Sequence, residues 1–171
     1  VNGALDVSAD GFGATSNLAG TASTGNGTGG TVLVQAQSNS SLNLLGTVTM
    51  SAVGRAGSTT TAGVDGGNGT GGVVQLLANG PNASVTVVDD VLMFASGFGA
   101  NGQGCVTCGD DGGAGTGGTI DLNGADGTGN TLTIGGSVVL DAGGFGGNAF
   151  TTRAGPGQGG TASVGAGTGT A

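Results

Sequence analysis

Gly67-Asn-Gly-Thr-Gly-Gly72, running straight into Val73-Val-Gln-Leu-Leu-Ala78, is the stretch on which the reading of this chain turns. A box with no large apolar side chain gives way to a run in which Val74, Leu76 and Ala78 occupy alternate positions, the period of a strand with one buried face. The same succession recurs along the chain. Gly25-Asn-Gly-Thr-Gly-Gly30 precedes Val32, Val34 and Ala36; Gly113-Ala-Gly-Thr-Gly-Gly118 precedes Ile120 and Leu122; Gly155-Pro-Gly-Gln-Gly-Gly160 precedes Ala162 and Val164. This internal repetition divides a single repeat domain, 1–171, into a partial repeat 1–24, repeats 25–66, 67–112 and 113–154, and a partial repeat 155–171.

Working outward from this run, strand A, each repeat continues with a turn rich in Asn, Ser and Gly and a short strand B. Strand B carries Leu42 and Leu44, Val85 and Val87, or Leu132 and Ile134. Strand C follows two or three residues later, with Val48, Met50 and Ala52, then Val91, Met93 and Ala95, then Val138, Leu140 and Ala142; Leu5, Val7 and Ala9 share this phase. Gly46 and Gly135-Gly136 stand at the bend between B and C, where a positive φ is expected; the second repeat has Asp89-Asp90 there.

One repeat has three short apolar faces and no means of burying them alone, so like strands must stack on like in parallel coils. The sequence therefore predicts an all-β fold: a parallel β-helix, or β-solenoid, with about one three-stranded coil per 42–46-residue repeat. Its inward stripes are Val32, Val34, Val74, Leu76, Ile120 and Leu122 in strand A, and Val48, Met50, Val91, Met93, Val138 and Leu140 in strand C. The Gly-dense segment between strand C and the next box reads as a long loop stacked on one edge of the solenoid. A competing layout has two coils per repeat, with part of that segment forming extended polyglycine-like strands that bond to one another. The segments open with Gly11-Phe12-Gly13, Gly54-Arg55-Ala56, Gly97-Phe98-Gly99 and Gly144-Phe145-Gly146, so Phe12, Arg55, Phe98 and Phe145 stack vertically if the coils are in register, with a cation–π contact available to Arg55.

Composition limits the chemistry. Of 171 residues 44 are Gly and the only aromatics are five Phe, so a thin repeated core is easier to build than a globular one. All ten acids are Asp, the only bases are Arg55 and Arg153, and Lys, Glu, His, Tyr and Trp are absent. A formal net charge of −8 opposes nucleic acid and anionic lipid, which need clustered Lys or Arg. No apolar stretch approaches the roughly 20 residues that cross a bilayer. With 36% hydrophobic residues in alternating runs, the chain does not read as a disordered tail.

Individual motifs add little catalytic content. The boxes satisfy G-x-G-x-x-G, but they precede strands, whereas a dinucleotide fingerprint follows a strand and opens a helix. Cys105-Val-Thr-Cys108 has no further Cys or His to complete a zinc site and reads as a local disulfide, which fits an oxidising compartment. Asp89, Asp90, Asp110 and Asp111, with Asp65, are weak Ca²⁺ candidates, because the Gly-Gly-x-Gly-x-Asp nonapeptide is missing; no other cofactor is expected. Asp alone could serve a paired-carboxylate glycosidase, and the missing Lys, His, Tyr and Trp argue for a non-enzymatic protein. Thr47-Val-Thr49 and Thr131-Leu-Thr133 suggest an ice-binding ladder, yet they fall on different strands. Asn26, Asn39, Asn68 and Asn82 open N-x-Ser/Thr sequons, at a frequency chance explains.

The Gly-Gly-Thr-Val-x-Leu style openings of strand A, the Leu-x-Leu-x-Gly-x-Val arrangement from Leu42 to Val48, and the lack of Lys together resemble the repeat passengers of large bacterial secreted surface proteins, of the autotransporter and filamentous-haemagglutinin kinds. That resemblance covers nearly the whole chain and implies a secreted or cell-surface protein with a structural or adhesive role, as in fibres and biofilms. The expected function is an extracellular structural module that extends a filament; the alternatives are an adhesin whose Gly-rich edge contacts a partner, and an ice-binding solenoid. Val1 enters at strand C and the chain leaves soon after strand A, with no capping element in view. Head-to-tail contact is accordingly expected, between Thr161 to Val164 of one molecule and Leu5 to Ala9 of the next, or with adjoining repeats of a longer chain.

Overall fold

A computed structural model describes residues 1–16, 24–104, 110–124, 128–150 and 152–165. Among them there is no helix, and every named strand pairs in parallel with its counterpart one repeat away. The chain is a parallel β-solenoid. Its strands form five open sheets, three of which are the expected ones.

Sheet A stacks Thr31–Ala36, Val73–Ala78, Thr119–Asn123 and Thr161–Gly165. Sheet B stacks Ser41–Leu44, Ser84–Val87 and Thr131–Ile134. Sheet C stacks Leu5–Ser8, Val48–Ser51, Val91–Phe94 and Val138–Asp141. Register places Val32 on Val74 on Ile120 and Val34 on Leu76 on Leu122, while Met50 lies between Val7 and Met93. These columns meet in a dry core in which Val48, Met50, Val74, Leu76, Val85, Val87, Val91, Met93 and Ile120 are fully buried. Burial is greatest at the middle coils because only they are covered on both sides. At the last coil Val138 keeps its inward column but is 41% exposed, Leu140 is half-buried, and Val164 is 68% exposed.

The bends differ from expectation in one respect. Neither Gly46 nor Gly135-Gly136 has a positive φ; at Gly46 a Cβ would press on the backbone of Gly3, so closeness of approach excludes a side chain there. At this bend Gly3, in line with Gly46, has a positive φ (124°), and in the turn between A and B it is adopted by Asn39 (φ 57°) and Asn82 (φ 54°), with Gly129 (φ 80°) in the same column. Asn tolerates this region better than other residues bearing a Cβ, which accounts for two of the three in that turn.

Where long loops were expected, the chain goes out and returns as extended backbone. Outgoing strands Gly11–Phe12, Gly54–Arg55, Gly97–Phe98 and Gly144–Phe145 form a fourth sheet, and returning strands Gly27–Thr28, Gly69–Thr70, Gly115–Thr116 and Gly157–Gln158 a fifth. There is one coil per repeat, not two, but the polyglycine-like pairing of the competing layout is present. The two sheets lie face to face as a wing only two backbones thick. Each inward glycine faces a carbonyl of the other layer: Gly69 meets the Phe98 oxygen, Gly97 the Thr116 oxygen, Gly115 the Phe145 oxygen.

Hydrogen bonds stitch the layers. Gly30, Gly72, Gly118 and Gly160 donate from N to the carbonyls of Ala9, Ala52, Ala95 and Ala142 at 2.6–2.7 Å, closing a neck between core and wing. Further out, Gly155 N donates to Gly147 O, Gly147 N to Gly113 O, Gly113 N to Ala100 O and Ala100 N to Gly67 O, all at 2.8–3.0 Å, a staircase climbing from coil to coil. Most backbone polar groups of the wing are thereby paired with backbone, and side chains complete the pairing at a few positions such as Gly67 N, which donates to Thr24 Oγ1.

A Cβ at Gly97 would enter the space of the Thr116 carbonyl, backbone that cannot step aside, whereas at Gly159 it would meet nothing within 4 Å. Gly97→Ala should cost about 1–3 kcal/mol in urea unfolding, and Gly159→Ala should stay within about 0.5 kcal/mol of the parent.

Candidate functional site

Because glycine faces inward across the wing, the alternate residue of each outgoing strand faces outward. Phe12 pairs with Arg55, Arg55 with Phe98 and Phe98 with Phe145, so the four form one column on the outer surface. The Phe98 and Phe145 rings are parallel (10°) with centroids 4.9 Å apart, and the Arg55 guanidinium carbon lies 4.4 Å from the Phe98 centroid. Phe12 is 72% exposed and Phe145 49%. One face of Phe98 is covered by the cation and the other by Phe145, which is the arrangement that the ring quadrupole favours.

Where the wing leaves sheet C the surface folds into an axial crease of about 330 Å³, lined by Asp10, Ser51, Val53, Arg55, Phe94, Ser96, Phe98 and Asp141. Asp10 Oδ1 accepts hydrogen bonds from Ser51 Oγ and from Val53 N, the latter at 2.7 Å. Partial burial pushes this carboxyl up; the bonds from Ser51, Val53 and Ser8 and the charge of Arg55 outweigh it and hold the group below the usual carboxylate value. Asp141 Oδ1 accepts from Gly143 N at 2.9 Å, and Ser96 Oγ donates to the Asp141 carbonyl at 3.1 Å. The lining falls in neighbouring columns of the repeat, with Ser51, Phe94 and Asp141 in one and Arg55 and Phe98 in another, and Asp10 stands where later repeats have Val53 and Ser96.

The weak Ca²⁺ candidates are spread out. Asp90 Oδ1 accepts from Ser137 N at 2.7 Å, and Asp89 follows Val88 in the bend after strand B. At the outer end of the wing Asp110 is fully buried and accepts from Phe150 N at 2.9 Å, while Asp65 Oδ1 accepts from Asp111 N at 3.0 Å. The carboxylates of Asp65, Asp90 and Asp110 thus accept from the backbone of neighbouring coils, and among the described residues no three Asp, Glu, His or Cys converge. Cys105 and Cys108 lie outside the described residues.

Several polar columns went unread in the sequence. Asn26 Oδ1 accepts from Asn68 N at 2.8 Å, Asn68 Oδ1 from Ala114 N at 2.7 Å, and Asn101 Oδ1 from Asn148 N at 2.8 Å. Two of these Asn open sequons, and the signal lay in their shared second position in the glycine box. On sheet B, Thr131 aligns with Ser84 and Ser41, and Thr133 with Thr86 and Asn43, so the Thr131-Leu-Thr133 hydroxyls do have partners in register, other than Thr47 and Thr49. Ser84 Oγ donates to Ser41 Oγ at 2.8 Å, which turns these two hydroxyls toward each other.

Among the described residues the outermost strand of each sheet is paired on one side. Around Leu122, Leu132, Ile134, Val138 and Val164 the last coil leaves an apolar cavity of about 520 Å³. Comparison with family models, with curated proteins and with solved structures returned no match.

Removing the Arg55 side chain and the Phe98 ring singly and together should reveal a coupling of about 0.5–1 kcal/mol in thermal or urea unfolding, and additive losses would show that the contact is idle. A second expectation concerns acid. A carboxyl held below its unfolded value stabilises the fold above about pH 4, and that contribution is lost as pH falls through the folded value. Between pH 7 and pH 3 the parent should lose more stability than Asp10→Asn; equal losses would contradict the assigned role.

Proposed function

We propose that this chain is a non-enzymatic structural module of a secreted or cell-surface fibre, lengthened by continuing its coils along the solenoid axis. The next coil comes either from a second copy or from adjoining repeats of a longer polypeptide.

What carries the reading is the open end of the stack. A coil's apolar cross-section is buried only by another coil, and the last one leaves Val138, Val139 and Val164 41%, 44% and 68% exposed beside an apolar cavity. Among the described residues, the edge strands of the five sheets also present backbone N–H and C=O groups that a further strand would satisfy. Since every sheet pairs like with like, continuation sets Val138–Asp141 against Leu5–Ser8 of the next unit and Thr161–Gly165 against Thr31–Ala36. Thr161 to Val164 on Leu5 to Ala9 would put strand A on strand C, a pairing found in none of the five sheets. In the like-on-like arrangement Phe145 comes opposite the next Phe12, prolonging the aromatic column. Such contact is heterologous and does not close on itself, so it yields filaments.

Sedimentation velocity and negative-stain electron microscopy of the 171-residue chain test this. The expected result is assembly that lengthens with concentration in a direction normal to the strands. A folded 15.5 kDa monomer at every concentration would overturn it.

A further inference from the structure

The dipeptide Asn-Gly occurs six times, beginning at Asn2, Asn26, Asn68, Asn79, Asn101 and Asn123. It is the chemically weakest pair in a polypeptide, because glycine has no Cβ to hinder its own nitrogen from reaching the asparagine side chain. In base, the glycine amide gives its proton to hydroxide and its nitrogen attacks the asparagine Cγ. The bond from Cγ to the side-chain nitrogen breaks and ammonia leaves with a proton from water. Water then opens the resulting five-membered imide to aspartate or isoaspartate. Two things prevent the step: a glycine N–H already committed to a hydrogen bond, and an asparagine side chain held away from it.

Three of the six sites carry both restraints. Gly27 N donates to Asn68 O at 2.9 Å, Gly69 N to Ala114 O at 2.9 Å and Gly102 N to Asn148 O at 2.8 Å, and all three glycines are buried. The preceding side chains are clamped as well, since Asn26, Asn68 and Asn101 each accept through Oδ1 from the backbone N–H of the coil above. Nucleophile and target are thus both bonded to the neighbouring coil, and reaction requires the wing to open.

Asn79 is placed differently. It is exposed in the turn after strand A, and its side chain makes a single long contact, from Nδ2 to Gln35 Oε1 at 3.5 Å. Gly80 adopts a left-handed φ of 93°, and its N–H makes no backbone hydrogen bond among the described residues. Asn123 has one restraint, Gly124 N donating to Gly165 O at 3.1 Å.

We propose that Asn79 is a site of spontaneous deamidation in the folded protein, and that the wing holds Asn26, Asn68 and Asn101 unreactive. The difference matters to the architecture. Isoaspartate adds a methylene to the backbone, which an exposed turn absorbs, whereas a two-backbone wing would lose a rung. Ageing damage is steered to the A–B turn at Asn79 and away from the glycine layers.

The test is peptide mapping by mass spectrometry after incubating the folded chain at alkaline pH, beside the same chain unfolded in denaturant. All four sites should convert in the unfolded chain. In the folded chain Asn79 should convert near its unfolded rate, and Asn26, Asn68 and Asn101 about tenfold or more slowly. Asn79→Gln should remove conversion at that turn and leave the slow rates at Asn26, Asn68 and Asn101 unchanged. Conversion of the wing sites at their unfolded rate, or of Asn79 as slowly as them, would overturn the assignment, and neither outcome depends on whether the chain forms fibres.

Discussion

The contact between two glycine layers governs this molecule. Carbonyl oxygens of each layer occupy the space that Cβ atoms of the other would need, so the wing exists only because residues such as Gly69, Gly97 and Gly115 have no side chain. Glycine is entropically costly to order. Here that cost is offset by backbone hydrogen bonds in two directions, along each sheet and across the staircase between them. The high glycine content is a packing requirement and not a sign of looseness. It also fixes which residues face out, which is why the bulky Phe12, Arg55, Phe98 and Phe145 all lie on one outer surface.

Core and wing must share one axial rise, about 4.8 Å per coil. The neck bonds from Gly30, Gly72, Gly118 and Gly160 enforce this by tying the start of each strand A to the end of the strand C that precedes it in the chain. Variation in repeat length is then confined to places outside the ladder. The outgoing and returning wing strands, Gly54–Arg55 to Gly69–Thr70 and Gly97–Phe98 to Gly115–Thr116, are separated by unequal lengths of chain, yet both pairs stay in register. Differences also accumulate in the A–B turn, where Asn39, Asn82 and Gly129 keep one left-handed position in a common column.

Sheets A, B and C were legible in the sequence because burial on one face of a strand leaves a period of two, and Leu76, Met50 and Met93 sit where that period puts them. The vertical Phe–Arg column was legible for a related reason: identical offsets within repeats become neighbours once coils stack. The wing was not. Apolar alternation announces a strand whose buried face is made of side chains, and in the wing the buried face is made of glycine, which is indistinguishable from a flexible linker by hydropathy. The crease at Asp10 and Asp141 was not read from the sequence, since its polar residues leave no apolar alternation. The Asn26 and Asn68 clamps were visible as a repeated position but not as a bond, because a side chain reaching to the next coil leaves no periodic apolar mark.

Whether the glycine segments are an ordered double layer or loops beside a three-sheet solenoid is the point on which the whole account rests. Residue-resolved amide hydrogen exchange decides it most directly, because both readings predict protection at Val74 and Leu76 and they part company over glycine. The double layer predicts that the amides of Gly69, Gly72, Gly97, Gly113 and Gly115 exchange as slowly as those of sheet A in the same coils. Exchange of these glycines at the rate of an unstructured chain, with sheet A still protected, would contradict it.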